Sequence, residues 1–152
     1  MVKIRRFNVN DQDQAQKLIT NILRNEFAMD QKAYLHSDLY SIADVYAGPR
    51  EAFFVGEKEN RVIGTVAVKE ESKDTAILRR LFVSPKYRGK GYGRLLIQKA
   101  LDFCKEKGYR EIVFHASTTM KAAMGLCRSK GFNEKQKLDL GGVDIIKFAL
   151  TV

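Results

Sequence analysis

Cysteine is scarce in this chain, with only two among 152 residues. Cys104 and Cys127 lie far apart in the sequence, and neither stands at the short spacing at which paired cysteines bind a metal. Two isolated thiols also build no disulfide framework, so we expect both to be free and the protein to reside in a reducing cytosol. The sequence therefore predicts no metal site and a cytoplasmic location.

Long apolar runs are absent as well. No stretch approaches the roughly 20 apolar residues that a transmembrane helix requires, and residues 1–7 lack the apolar core of a signal peptide. Hydrophobic residues make up 45% of the chain and charged residues 30%, which is typical of an ordinary soluble globular protein. With no linker, repeat or low-complexity segment, residues 1–152 are expected to form a single domain without a membrane partner.

Acidic residues are rare in one segment. Between Arg79 and Arg110 the chain has ten Lys/Arg but only two Asp/Glu, so this segment carries +8 of the formal net charge of +9. Such a concentrated positive field favours an anionic ligand. Coenzyme A, with its diphosphate and ribose phosphate, would fit, and so would a nucleic acid. The charge alone does not choose between the two.

The most informative motif lies inside this basic segment and reads R-G-K-G-Y-G at residues 88–93. It follows a strand-like run and opens a helix-like run, so its glycine N–H groups and the helix N-terminus point at one place, as in a phosphate cradle. A P-loop is excluded because Arg94 follows the last glycine where Lys-Ser or Lys-Thr is required. The dinucleotide-binding spacing G-x-G-x-x-G is absent too. A plain connecting loop is disfavoured by three basic residues in the turn, Lys86, Arg88 and Lys90.

The spacing R-x-x-G-x-G, within the whole block from Leu81 to Gly93, resembles the acetyl-CoA loop of the GNAT family of N-acetyltransferases. The resemblance is strongest from Gly64 to Phe132 and implies acetyl-CoA as the co-substrate. It also implies that a strand edge pairs with the pantetheine amides while main-chain N–H groups hold the diphosphate. The cofactor-binding residues that it implies are Leu81, Phe82, Val83, Arg88, Gly89, Lys90, Gly91, Tyr92, Gly93 and Arg94.

Hydrophobic periodicity and turn signals predict the element order β-α-α-β-β-β-α-β-α-β-β. We therefore expect an α/β fold, a mixed sheet of about seven strands with four helices on both faces, and this is also the element order of the GNAT fold. Residues 27–35 fit no element clearly. The candidate helix N-caps are Asn10 or Asp11, then Ser37 or Asp38, then Ser117, Thr118 or Thr119.

The resemblance further implies a slot for the thioester between two strands that part near Arg80 and His115. Arg79 and Arg80 are neighbours on one of these strands, and regular alternation predicts that they point to opposite faces. One of the two should then point to solvent or to the cofactor groove.

The catalytic acid and base are harder to assign. Many members of the resembled family have a Tyr where this chain has Cys127, and a Glu where it has Ile77. Cys127 is therefore a candidate proton donor to the CoA thiolate, with a buried core cysteine as the alternative. His115 is the candidate general base, with a merely hydrogen-bonded or solvated histidine as the alternative.

Three functions remain open on the sequence. The first is direct acetyl transfer from acetyl-CoA to a primary amine of a small molecule or peptide. The second is a catalytically idle CoA-binding sensor on the same fold. The third, a nucleic-acid-binding module that uses the basic segment, is disfavoured because few aromatics are interleaved with its charges. A homodimer is compatible with all three.

Overall fold

The computed structural model describes residues 1–28 and 36–152. These residues form one seven-stranded sheet in the order β1-β2-β3-β4-β5-β7-β6. The strands are β1 Lys3–Arg6, β2 Ala52–Lys58, β3 Arg61–Glu70, β4 Thr75–Val83, β5 Glu111–Ser117, β6 Asn133–Leu140 and β7 Val143–Thr151. The α-helices are α1 Gln12–Glu26, α2 Ile42–Val45, α3 Tyr92–Glu106 and α4 Lys121–Ser129. The predicted fold class and element order are confirmed.

The sheet is antiparallel except at its centre, where β4 and β5 run parallel. Helix α3 connects these two strands, as a parallel crossover requires. Their pairing ends at Leu78 and Phe114, although β4 continues to Val83 and β5 to Ser117. The two strands therefore part near Arg80 and His115, as the sequence predicted, and leave an opening in the middle of the sheet.

Helices cover both faces of the central strands. In β3 the residues from Val62 to Val68 are all buried, which requires cover on each side because successive side chains point to opposite faces. On one face Phe54 of β2 contacts Phe103 of α3, with ring centroids 5.7 Å apart. On the other face Phe53 contacts Tyr46, which directly follows α2.

One helix start agrees with the predicted caps and two differ. Helix α1 has the predicted Asp11 as its N-cap, although this side chain makes no cap hydrogen bond to α1. It forms a capping box with Asn8 over the 3-10 turn that precedes the helix. The predicted second helix is split into a 3-10 turn at residues 37–40 and α2. Helix α4 has Met120 as its N-cap, because Ser117 still belongs to β5 and its hydroxyl bonds to the Thr119 backbone N–H. The unassigned residues 29–35 lie outside the described part of the chain.

Candidate functional site

A cavity of about 630 Å³ lies at the end of β4, beyond its last pair with β5. One wall is the end of β4, and another is the loop that leads into α3. Helix α4 closes the third side with apolar side chains, and the C-terminal end of α1 forms the rim. The residues that carry these walls include Leu81, Phe82, Val83, Arg88, Gly89, Gly91, Tyr92, Gly93, Arg94, Met120, Ala123, Leu126, Glu26 and Phe27.

This cavity brings together most of the residues that the sequence assigned to the cofactor. Nine of the ten line it, and only Lys90 is not among its lining residues. The sequence pattern found the loop and the strand end because both are continuous in the chain. It could not find Glu26 or the α4 residues, which reach the cavity only through folding.

The glycine loop has the backbone conformation of an anion cradle. Gly89 and Gly91 have φ of 77° and 83°, values that glycine adopts without the steric penalty that a side chain imposes. Gly91 is the N-cap of α3 and supplies no side-chain cap. The first N–H groups of this 15-residue helix therefore face the cavity without a side-chain acceptor, which suits a phosphate.

Gly93 is needed for a different reason, which is space. A Cβ built at Gly93 would lie 3.0 Å from Cδ1 of Leu126 on α4. Gly64 on β3 is tighter still, since its Cβ would lie 2.7 Å from Cδ1 of Leu96 on α3. The start of α3 can therefore approach both α4 and the sheet closely only because these two positions lack side chains.

Arg88, the first residue of the motif, already has an anionic partner. Its Nη1 and Nη2 donate to the two carboxylate oxygens of Glu26, at 2.6 and 2.9 Å. Its Nε donates to the carbonyl oxygen of Val83 at 2.9 Å. One side chain thus ties the loop to the end of β4 and to the end of α1. The sequence missed Glu26 because 61 residues separate it from Arg88.

A β-bulge shapes β4 beside the opening. The register between β3 and β4 shifts between Thr65 and Ala67, and Arg80 takes a positive φ of 56°. The hydroxyl of Thr65 donates to the Arg80 carbonyl oxygen at 2.7 Å. A non-glycine residue in this region stores backbone strain of about 1–3 kcal/mol, so the surrounding contacts must hold it there.

A buried ion pair supplies that hold. Nη2 and Nε of Arg80 donate to the two Asp38 carboxylate oxygens at 2.6 and 3.1 Å, and both side chains are only 9% exposed. The Tyr46 hydroxyl donates to the same carboxylate at 2.7 Å. Burial by itself would raise the pKa of Asp38, but the hydrogen bond and charge of Arg80 outweigh it and lower that pKa.

The bulge corrects one expectation. Arg79 and Arg80 do not point to opposite faces of a regular strand, because the extra residue and the positive φ interrupt the alternation. Arg80 is buried against Asp38, whereas Arg79 is exposed and its charge also lowers the pKa of Asp38. Both guanidinium groups therefore lie on the side of the sheet where Asp38 and Tyr46 pack.

His115 lies one residue beyond the last β4–β5 pair. Like Cys127, it is not among the residues that line the cavity. Its imidazole is half-buried. Burial lowers its pKa below the ordinary value, and the nearby charges of Lys147 and Arg79 lower it further, against an opposing effect of Glu71. The ring is therefore neutral at pH 7 and able to accept a proton, which leaves the predicted role as general base open.

If His115 is the base, kcat should fall as the pH is lowered through a value below 6.5, since protonation removes the acceptor. His115→Gln is expected to lower kcat about 100-fold, in the range of general-base effects, and to abolish this acid limb while the Kd for acetyl-CoA stays the same. The measurement is a pH–rate profile. The chain's other histidine provides the control, because His36→Gln should keep the limb. A variant at position 115 with an unchanged profile would remove the residue as base.

Cys127, the candidate proton donor, lies in the apolar core. Its side chain is fully buried, it is not among the residues that line the cavity, and burial raises the pKa of its thiol to about 12. A thiol in such surroundings packs as a small hydrophobe. The structure thus favours the core alternative for Cys127 over proton donation.

Ile77, which stands where many members of the family have a Glu, lies within the sheet and pairs with Lys69 on β3 and Val113 on β5. None of these three side chains is a carboxylate. Residues 1–28 and 36–152 also contain no group of three His, Cys, Asp or Glu that could hold a metal ion. Within the same residues, no helix is both long and apolar enough to cross a membrane.

A cavity at the free end of β4, with a glycine loop opening the following helix, is an arrangement that suits a phosphate-bearing ligand. The acetyltransferase (GNAT) family model matches residues 17–132, and the chain belongs to this family. It is 33% identical to N-acetyltransferase 8 of Mus musculus over 125 residues, which cover 78% of this chain and 53% of that protein. The chain spans about half the length of the curated relatives it matches.

Solved structures agree on the fold. A GNAT-family acetyltransferase from Staphylococcus aureus Mu50 superposes with a TM-score of 0.84 at 22% identity, covering 99% of each chain. The protein yncA from Salmonella typhimurium, solved with its cofactor acetyl-CoA, has a TM-score of 0.84 at 17% identity and covers 99% of this chain and 93% of its own. At these identities the likeness concerns the fold alone.

Proposed function

We propose that this chain is an acetyl-CoA-dependent N-acetyltransferase that transfers acetyl directly to a primary amine of a small molecule or peptide. The observation that carries the proposal is the cavity itself. Nine residues assigned to acetyl-CoA from the sequence line a single space, and three of them lie on the part of β4 that has no β5 partner.

The cofactor would be held mainly by the backbone. Beyond Leu78, β4 has no β5 partner, so that edge is available to hydrogen-bond the pantetheine amides as an added strand would. The N–H groups from Gly89 to Arg94 would bind the diphosphate, whereas the N–H of Arg88 donates to the Pro85 carbonyl oxygen at 3.3 Å. The apolar side of the cavity, formed by α4 residues such as Met120 and Leu126, suits the pantetheine chain.

The reaction requires a neutral amine beside the thioester. The amine nitrogen attacks the carbonyl carbon, the C–S bond breaks, and CoA leaves as the thiolate. The proton lost by the nitrogen passes to His115, directly or through water, and the thiolate takes a proton from solvent. Holding both reactants at the opening supplies the proximity that makes this step fast.

The idle CoA-binding sensor stays as the second candidate, because two specific observations favour it. Cys127 is fully buried, and Ile77 stands where the family pattern has a Glu, so two catalytic groups of the resembled family are missing. Within residues 1–28 and 36–152, no site geometry supports nucleic-acid binding. A single domain over residues 1–152, a cytoplasmic location and a homodimer stay predictions.

Titration calorimetry with acetyl-CoA, followed by a thiol-release assay over amino acids, peptides, polyamines and aminoglycosides, tests the proposal. Binding together with release of free CoA in the presence of an amine would support it. Binding without transfer to any amine would favour the sensor. Absence of binding to the folded protein would refute both, and the basic segment would then need another polyanion.

A further inference from the structure

Three nitrogen-bearing side chains surround the opening between β4 and β5 on one face of the sheet. Leu78 and Phe114 are the last registered pair, so Arg79 and His115, one residue further on, share the opposite face. On β7, Lys147 is the direct cross-strand partner of His115. Such partners have Cβ atoms about 5 Å apart. Arg79, His115 and Lys147 therefore form a continuous group, called here the mouth cluster.

The positive charge of the mouth cluster is poorly compensated within the described residues. Among the ion pairs formed by the described residues, none includes Arg79 or Lys147. Asp38 is already engaged by Arg80, and the hydroxyl of Tyr46, with which Arg79 interacts, is uncharged. Among the described residues, Glu71 is the one carboxylate whose charge raises the pKa of His115, whereas the charges of Lys147 and Arg79 lower it.

Two cations on either side of a half-buried imidazole repel each other, and an anion bound between them would relieve this repulsion. Both cationic groups remain accessible, since Arg79 is exposed and Lys147 is half-buried. They lie beside the candidate base, just beyond the last β4–β5 pair, and none of the three cluster residues is among those that line the cofactor cavity. An acceptor bound by them would approach the thioester from the other side of the parted strands. An anionic group on the acceptor would complete the charge balance.

We propose that the acceptor is an amine that also carries a carboxylate, and that Arg79 and Lys147 bind this carboxylate while the amine lies beside His115. The proposal rests on the proposed function and deepens it by naming the substrate class. Free amino acids and peptides with a nearby carboxylate fit this class, whereas polyamines and aminoglycosides, which are polycations, do not.

The mouth cluster also bears on deprotonation. Nearby positive charges disfavour the charged form of an ammonium group. An acceptor held here would therefore lose its proton more readily than in water. This offsets the absence of a carboxylate base at Ile77, and the acceptor's own carboxylate fixes its orientation at the same time.

The test compares each amino acid with its carboxamide, which keeps the amine and lacks the negative charge. Wild-type protein is expected to acetylate the acid with a kcat/KM at least roughly tenfold above that of the amide, the effect of one charge-assisted hydrogen bond. Arg79→Gln and Lys147→Gln should each reduce this preference by a similar factor through KM. Their Kd for acetyl-CoA should stay unchanged.

Lys137→Gln is the matched control. Lys137 lies on β6 opposite Ile146, one position from Lys147 in the register and therefore on the other face of the sheet, so its removal should leave the preference intact. Equal rates with acids and amides, better rates with a linear diamine, or variants that keep the full preference would overturn the inference.

The proposed function can fail separately. If acetyl-CoA binds but no amine is acetylated, the same acid and amide pairs are titrated into protein saturated with acetyl-CoA. Wild-type binding of the acid alone, lost in Arg79→Gln and Lys147→Gln, would support a carboxylate site in a sensor. Absence of binding, or equal binding of acid and amide, would overturn the inference.

Discussion

Gly91→Val is expected to weaken acetyl-CoA binding roughly 100-fold or more while the protein still folds. Gly91 has φ of 83°, where an L-residue is disfavoured by about 1–2 kcal/mol and a β-branched one is a true outlier. The loop must therefore move, and its N–H groups move with it. Each hydrogen bond to a charged group contributes about 1.5–3 kcal/mol, so losing two accounts for the expected factor. Titration calorimetry measures it.

Gly108→Val is the matched control, because it should introduce the same backbone strain as Gly91→Val at a position away from the cofactor cavity. Gly108 has φ of 80° and, like Gly91, has no heavy atom within 4 Å of a Cβ built on it. It follows the C-terminal end of α3 and is not among the residues that line the cavity. Both variants should lose similar stability, but only Gly91→Val should lose affinity. Equal affinity in the two folded variants would contradict the phosphate cradle.

Asp38→Ala is expected to lower the free energy of unfolding by about 3–5 kcal/mol, because it leaves Arg80 as a buried charge without its carboxylate. The Tyr46 hydroxyl loses its acceptor as well, and the strained backbone of Arg80 loses its anchor. Denaturant unfolding measures the change. Glu134→Ala is the control, since the Arg128–Glu134 pair is about half exposed and such surface pairs contribute at most about 1 kcal/mol.

The same pair predicts a pH dependence. Burial raises the pKa of Asp38 in the folded protein, but the hydrogen bond and charge of Arg80 lower it by more, so the net pKa is below the ordinary value. Its contribution to stability is therefore fully present above the ordinary carboxyl pKa of about 4 and disappears as the pH falls below that value.

A variant with Asp38→Leu and Arg80→Met together should regain much of the stability that Asp38→Ala loses, because it leaves no buried charge unpaired. If Asp38→Ala matched the surface control, the pair would not hold the bulge.

The cofactor loop could be predicted from the sequence because its chemistry is local. The glycines at 89, 91 and 93, the basic residues among them and the helix that follows are consecutive in the chain, and the N–H groups that face an anion need no distant partner. The element order could be predicted for the same reason, since strand and helix periodicities are properties of short windows. The start of α4 could not be predicted in this way, because its N-cap, Met120, makes no side-chain cap hydrogen bond that a residue pattern would indicate.

The acceptor side depends on contacts between distant residues. The sequence treated Arg79 and Arg80 as alternating strand residues, and only the shifted register of β3 against β4 shows that Arg80 turns in to meet Asp38. Likewise, Lys147 becomes a neighbour of His115 through the pairing of β5 with β7. Neither pairing leaves a signal in a short window of sequence.

By itself the sequence determined the family resemblance, the mixed sheet and the segment that would hold the nucleotide, because each depends on the order of residues along a short stretch. Tertiary structure alone decided that Arg88 is held by Glu26, that Cys127 is buried in the core and which charges surround the opening. These depend on how strands register and helices pack, and that is set by burial of apolar surface across the whole chain rather than by any local pattern.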